Sequence, residues 1–204
     1  MAQVKYIEEL KEKYGFEKYY SEISNSCFIE FDIMKFEHGY HEKILDRATR
    51  QLDAMLIKTT KVLFVRIDLH VKEKDKSNSI ISNFFKASSI WIKEKYDQFG
   101  YVWVREQGKS NKQHYHLAYF LNGHKIRHPK LFIEFLKQKW QETSQGGVLS
   151  IPNNCFLRLF INQDDFFENL KCTIYRLSYL AKKHTKRRIS QFTKNYSSSR
   201  LRYA

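Results

Sequence analysis

The chain is poor in cysteine, has no long apolar run, and carries no acid at all in its last stretch. Cys27, Cys155 and Cys172 are odd in number and widely scattered, without a CxxC pair. That pattern offers no disulfide framework and fits three reduced thiols in a reducing compartment. No apolar run reaches the roughly 20 residues that cross a bilayer, so no membrane partner is expected. The opening MAQVKYIEELKEKYG has no signal-peptide core, which makes a cytoplasmic location the expectation. No Asp or Glu follows Glu168, whereas Lys171, Arg176, Lys182, Lys183, Lys186, Arg187, Arg188, Lys194, Arg200 and Arg202 all do.

What is present instead is positive charge, +14 in net over 204 residues. An excess concentrated at one end of a chain attracts polyanions, nucleic acid foremost. The length suits one domain, or one domain with an extension. An aromatic share of 16%, led by Phe and Tyr, allows a sizeable core.

Hydrophobic periodicity predicts a short amphipathic helix over residues 3–14 and a strand over Cys27–Ile33. A longer helix is predicted over 41–58, where Ile44, Leu45, Ala48, Leu52, Met55 and Leu56 keep helical spacing. Residues 1–59 therefore read as a mainly helical extension packed on the core. Lys61–Val71 alternates as a strand, with Leu63, Val65, Ile67, Leu69 and Val71 on one face and Arg66, Asp68 and His70 on the other. A helix over 80–98 follows, then a hairpin of strands 101–107 and 113–121. A helix from Pro129 to about 143 comes next, then a loop over 144–154 and a short strand over 156–161. A last helix begins at Asp164 or Asp165 and extends to about Lys183, and the stretch 189–204 reads as a basic tail. The fold class expected is α+β, an antiparallel sheet of about five strands with helices on its faces.

The hairpin carries the most informative residues. If Gln107 pairs with Gln113, then Glu106 faces His114, Val104 faces His116 and Val102 faces Ala118, and all share one side. Two imidazoles and a carboxylate on one side make a candidate divalent-metal site with open positions. The bland reading is a solvated hairpin face on which a His-x-His pair occurs by chance. His70, on the polar row beside Asp68, is a weaker candidate ligand. His124 and His128 read better as part of a basic, phosphate-facing loop. Arg105, Lys109 and Lys112, on and beside the hairpin, are candidate phosphate contacts, together with Lys183, Lys186, Arg187 and Arg188 after the last helix.

Within that helix Tyr175 and Tyr179 stand four apart and Lys182 three further on, a spacing that clusters them on one face. A phenol can attack a phosphodiester when the phosphate is polarised or a cation is near, and Lys182 can supply the cation. A core-facing aromatic pair with a snorkelling lysine is the alternative.

Taken in order, these residues resemble the HUH endonuclease superfamily. Val62–Val71 is similar to its first strand motif, His114-Tyr115-His116 to its His-hydrophobe-His motif, and Tyr179 with Lys182 to its Tyr-x-x-Lys motif. Glu106 stands where many members carry a third ligand. The run Arg-Leu-Ser-Tyr-Leu-Ala-Lys, residues 176–182, narrows the resemblance to replication proteins of the inovirus Gp2 family, found in filamentous phages and prophages. The resemblance covers about 60–188, which it implies is a catalytic domain with a ferredoxin-like, Rep-like core. It implies Mg²⁺ or Mn²⁺ held by Glu106, His114 and His116, with Tyr179 as nucleophile and Lys182 assisting. Tyr175 would be a second nucleophile, as in two-tyrosine members, or a base-stacking residue. It also implies nicking of single-stranded DNA at a replication origin in a bacterial cytoplasm, with host helicase and polymerase as partners. A transposase or relaxase of the same chemistry, and a non-enzymatic DNA- or RNA-binding regulator, are the competing expectations.

Overall fold

The computed structural model describes residues 17–22, 28–73, 77–107, 113–183 and 193–201, the first of these and 28–30 by backbone alone. A small hairpin comes first, β1 (Glu17–Glu22) against β2 (Phe28–Ile33). The rest runs α1 (Glu42–Lys58), β3 (Lys61–His70), α2 (Ser79–Tyr96), β4 (Phe99–Gln107), β5 (Gln113–Asn122), α3 (Lys130–Thr143), β6 (Val148–Ser150), β7 (Phe156–Phe160), α4 (Phe166–Ser178), a 3₁₀ turn (Tyr179–Ala181) and β8 (Tyr196–Ser198). The six longer-range strands form one antiparallel sheet in the order β6-β3-β5-β4-β8, with β7 also on the outer side of β3. The expected α+β class is what the chain adopts.

Alternation on β3, β4 and β5 gives the sheet two apolar sides, each needing cover. One side, with Leu63, Val65, Ile67, Leu69, Trp103, Tyr115, Leu117 and Tyr119, packs under α2 and α3. Trp140 of α3 is fully buried there and crosses Phe84 and Tyr115 edge-on. The other side, with Val62, Phe64, Val102, Ala118 and Phe120, packs under α1 and α4. Along β3 and β5 this second side then changes character. Past Phe64 and Ala118 it carries Arg66, Asp68, His70, His116 and His114. A helix-covered sheet face that turns polar at one end leaves a place where charged side chains meet under partial cover.

Several expectations need correction. The last helix stops at Ser178 instead of running to Lys183, and Tyr179 opens a 3₁₀ turn. Ser144–Asn154 is not all loop, because Val148–Ser150 pairs with the end of β3. The end of the chain is not simply a tail: residues 196–198 pair with Val102–Val104 and extend the sheet beyond β4. A free strand edge presents unpaired backbone groups, and a short segment with little strand pattern of its own can still satisfy them. Residues 17–22 form a strand where none was expected. The helix expected over 3–14, Cys27, Lys109, Lys112, Lys186, Arg187 and Arg188 lie outside the described residues. Among the described residues, Cys155 and Cys172 are free thiols, and no helix is long and apolar enough to cross a membrane.

Candidate metal and nucleophile site

The register inferred for the β4–β5 hairpin is the one observed. Gln107 pairs with Gln113, Glu106 with His114, Val104 with His116 and Val102 with Ala118. On the other flank of β5, Asp68 of β3 pairs with His116 and His70 with His114. Cross-strand partners point the same way, so Glu106, His114, His116, Asp68 and His70 share the polar end of the α1–α4 side.

Glu106, His114 and His116 each offer one ligand atom, and those atoms lie within 4.8 Å of one another. Glu106 is 2% exposed and His116 4%, while His114 is half-buried on the open side of the group. Nε2 of His116 is buried without a hydrogen-bond partner and sits 3.3 Å from Glu106 Oε2. Nε2 of His114 is 3.6 Å from the same oxygen, too far for a hydrogen bond. Leaving a buried ring nitrogen unsatisfied is costly. A cation among these atoms would satisfy His116 Nε2, so the residues fit a divalent ion with two nitrogens and one oxygen as protein ligands.

Asp68 completes the arrangement from the side. Its Oδ1 lies 2.6 Å from His116 Nδ1, where Nδ1–H donates and Nε2 is left as the lone-pair nitrogen facing Glu106. A carboxylate behind a ligand histidine fixes its tautomer and raises its basicity. Burial alone would lower the His116 pKa, but its bond to Asp68 and the negative charges of Asp68 and Glu106 outweigh that and raise it above the ordinary 6.5. Burial pushes Asp68 upward, yet its bond to His116 and the charges of His116, Arg66 and His70 hold it below 3.8. Asp68→Asn should weaken Mn²⁺ binding by about 10–100-fold by isothermal titration while leaving the protein folded.

Tyr179 reaches this group from the 3₁₀ turn. Its ring meets the His116 ring edge-on at 5.2 Å between centroids. The Arg66 guanidinium lies over the same ring at 4.2 Å, and Lys182 Nζ lies 5.4 Å from its centroid. The turn is held there by distant chain. Ser178 Oγ donates to Tyr175 O and accepts from Met34 N at 2.9 Å. Ala181 O accepts from His41 N at 2.7 Å, and Lys183 N donates to Gly39 O. Gly39 stands at φ +70 in a tight turn, a backbone region that other residues enter at a cost. The segment before α1 thus clamps the end of α4.

The site's other expected members divide. Tyr175 sits half-buried on α4, one turn before the nucleophile candidate, while the contacts to His116, Arg66 and Lys182 belong to Tyr179. Lys183 is exposed beside the turn. His70 stacks on His114 at 5.6 Å, next to the triad. His124 instead meets Thr60 Oγ1, and His128 packs edge-on to Phe156, so neither joins the triad.

Arg105 is not a surface phosphate contact. It is 3% exposed, and its guanidinium donates to Ser77 O, Asn78 Oδ1 and Gln113 Oε1. It lies on the α2–α3 side, where it anchors the start of α2 to the hairpin. Arg105→Ala should cost about 3 kcal/mol of stability in urea unfolding, because it strips the buried Gln113 Oε1 and two partly buried acceptors of a charged donor.

Arg66 is the site residue that sequence reading did not single out. Its only sequence signal is its place in the polar row of β3 with Asp68 and His70. In the fold it is largely buried, 3.8 Å from Asp68, and spread over the Tyr179 ring.

A model of the YagK/YfjJ C-terminal domain, a family linked to prophage-like proteins, matches residues 23–199. No curated protein and no solved structure matches the chain. The match takes in β2 through β8, spanning the triad, the Tyr179 turn and the segment that clamps it, and so the chain belongs to the YagK/YfjJ C-terminal domain family.

Proposed function

We propose that this protein nicks and rejoins single-stranded DNA at a specific site, through a covalent 5′-phosphotyrosine, to initiate rolling-circle replication of a phage or prophage element. The observation that carries the reading is the packing of the Tyr179 ring against His116, with Arg66 over its face. A nucleophile, a ligand set and two cations at one end of one sheet face are the components that phosphodiester transfer needs.

Glu106, His114 and His116 would hold Mg²⁺ or Mn²⁺, the ions suited to few protein ligands and several open positions. Such an ion, when bound, neutralises charge on a phosphate oxygen. The chain's own residues do the rest. Tyr179 Oη attacks phosphorus in line. The Oη–P bond forms as the P–O3′ bond breaks; the phenol proton is lost and the 3′ oxygen gains one. One phosphodiester replaces another, so the step is reversible and the free 3′-hydroxyl can prime synthesis. Arg66 fixes the ring plane through a cation–π contact, and Lys182 places a second positive charge beside the phenol. Asp68 keeps His116 in the tautomer whose Nε2 lone pair would be available to hold the ion.

The resemblance to HUH initiators and the inovirus Gp2 family points the same way, as does the link of the family to prophage-like proteins. A bacterial cytoplasm, and host helicase and polymerase as partners, belong to the same proposal.

The test is incubation of the purified protein with Mn²⁺ and a random-sequence library of single-stranded oligonucleotides, then a denaturing gel. The expected result is a metal-dependent, shifted protein band whose attached DNA shares a common 5′ sequence. A protein that binds Mn²⁺ and DNA yet yields no such band overturns the proposal in favour of a binding role.

A further inference from the structure

Beside the Tyr179 turn lies a cleft of about 930 Å³ that the chemistry above does not use. Its walls come from the start of α1, the residues just before it, Lys183 and the strand β8. The walls include five cations, Lys43, Arg47, Lys183, Lys194 and Arg200, against one acid, Glu42. Among the described residues, Lys43, Arg47, Lys183 and Lys194 form no ion pair with a carboxylate. Lys43 and Arg47 are one helical turn apart and both exposed, so their heads lie together on one wall. Uncompensated cations lining a concave surface focus a positive potential into it.

The cleft is tied to the site by the backbone. Lys183 directly follows Lys182, and Tyr40 forms an antiparallel bridge with Lys182. On the sheet, Tyr196 of β8 is the cross-strand partner of Val104, and Val104 is the partner of His116. Tyr196 therefore lies on the same row and the same side as His116, two strands over, or about 10 Å away. Tyr40 and Tyr196 both line the cleft. Aromatic rings among cations are the combination that single strands use, rings for unpaired bases and cations for phosphates. A duplex keeps its bases stacked inside and gains nothing from the rings.

We infer that this cleft binds a segment of single-stranded DNA flanking the phosphate held at the triad. The inference rests on the proposed nicking function only for the identity of the strand. Lys43 and Arg47 grip successive phosphates on the α1 wall, Lys183 and Lys194 face them, and Tyr40 and Tyr196 receive bases.

The experiment measures binding of fluorescent oligo(dT) by the full chain across a range of salt concentrations. Lys43→Gln/Arg47→Gln is compared with Lys86→Gln/Lys93→Gln, an equal charge loss from exposed positions on α2, across the sheet. The cleft pair is expected to bind roughly tenfold more weakly, and its log K against log salt should be shallower by about 1.4, or about 0.7 for each phosphate no longer neutralised. The α2 pair should stay close to wild type. Equal losses in the two pairs, or none in the cleft pair, would overturn the inference. So would a duplex of equal length losing as much affinity as the single strand. Covalent attachment plays no part in this readout, so a chain that never nicks DNA can still pass it, and one that nicks can still fail.

Discussion

Tyr179→Phe should bind single-stranded DNA as tightly as the wild type and yet attach to none of it. The substitution removes one oxygen and keeps the ring that His116, Arg66 and Lys182 touch. Packing should survive, because Tyr179 is only half-buried and its ring contacts are all made through the face and edge. Loss of a nucleophile typically costs several orders of magnitude, so attachment should drop by at least about 10³-fold. Tyr175→Phe measured alongside separates one-tyrosine from two-tyrosine chemistry. If it keeps a first round of attachment, Tyr179 alone makes the initial cut. Full attachment by Tyr179→Phe would move the nucleophile to another residue and strip the His116 contact of its proposed role.

His116→Ala should abolish specific Mn²⁺ binding in isothermal titration, with an affinity loss greater than about 100-fold, since losing even an outer partner of a ligand costs 10–100-fold. His116 is the ligand candidate whose environment is most specialised, with Asp68 on one nitrogen and Glu106 beside the other. That environment also sets a pH dependence. The His116 pKa is raised above 6.5, so a proton occupies the ring to higher pH than in an ordinary histidine. Metal must displace it. Wild-type affinity should therefore rise with pH above 6.5, by about tenfold per unit, until the ring is neutral. The metal-free protein follows the opposite trend: the stability His116 contributes is present below 6.5 and fades as pH rises through its raised value. In His116→Ala both trends should vanish. A wild type whose Mn²⁺ affinity is flat from pH 6 to 8 would contradict the assignment of His116 as ligand.

The site is legible in the sequence to the extent that period two is legible. Gln107 and Gln113 flank a short polar turn, so one register places Glu106 opposite His114, and that register is the one formed. The same rule argues against Arg105 as a phosphate contact. Arg105 alternates with Glu106 and so belongs with Trp103 on the far side, where it is buried. Long-range pairing is what no local pattern reveals. Nothing near β3 in sequence says that it lies beside β5, which is what sets Asp68 against His116 and Arg66 over Tyr179. The end of the last helix is hidden for a related reason. Leu170, Ile174, Leu177 and Ala181 keep helical spacing past the true end, while the break is enforced by hydrogen bonds from residues 34–41, far away in sequence. β8 is three residues, Tyr-Ser-Ser, with no alternation to recognise; it is a strand because the edge of β4 needs a partner.

The most direct measurement is peptide mapping of the covalent product. Wild-type protein is incubated with Mn²⁺ and single-stranded DNA, digested with nuclease and protease, and searched by mass spectrometry for a peptide bearing a nucleotide. The expected result is a nucleotide on Tyr179 that disappears when the metal is chelated. A nucleotide on some other side chain, or one that forms equally well with the metal removed, would contradict the proposed chemistry.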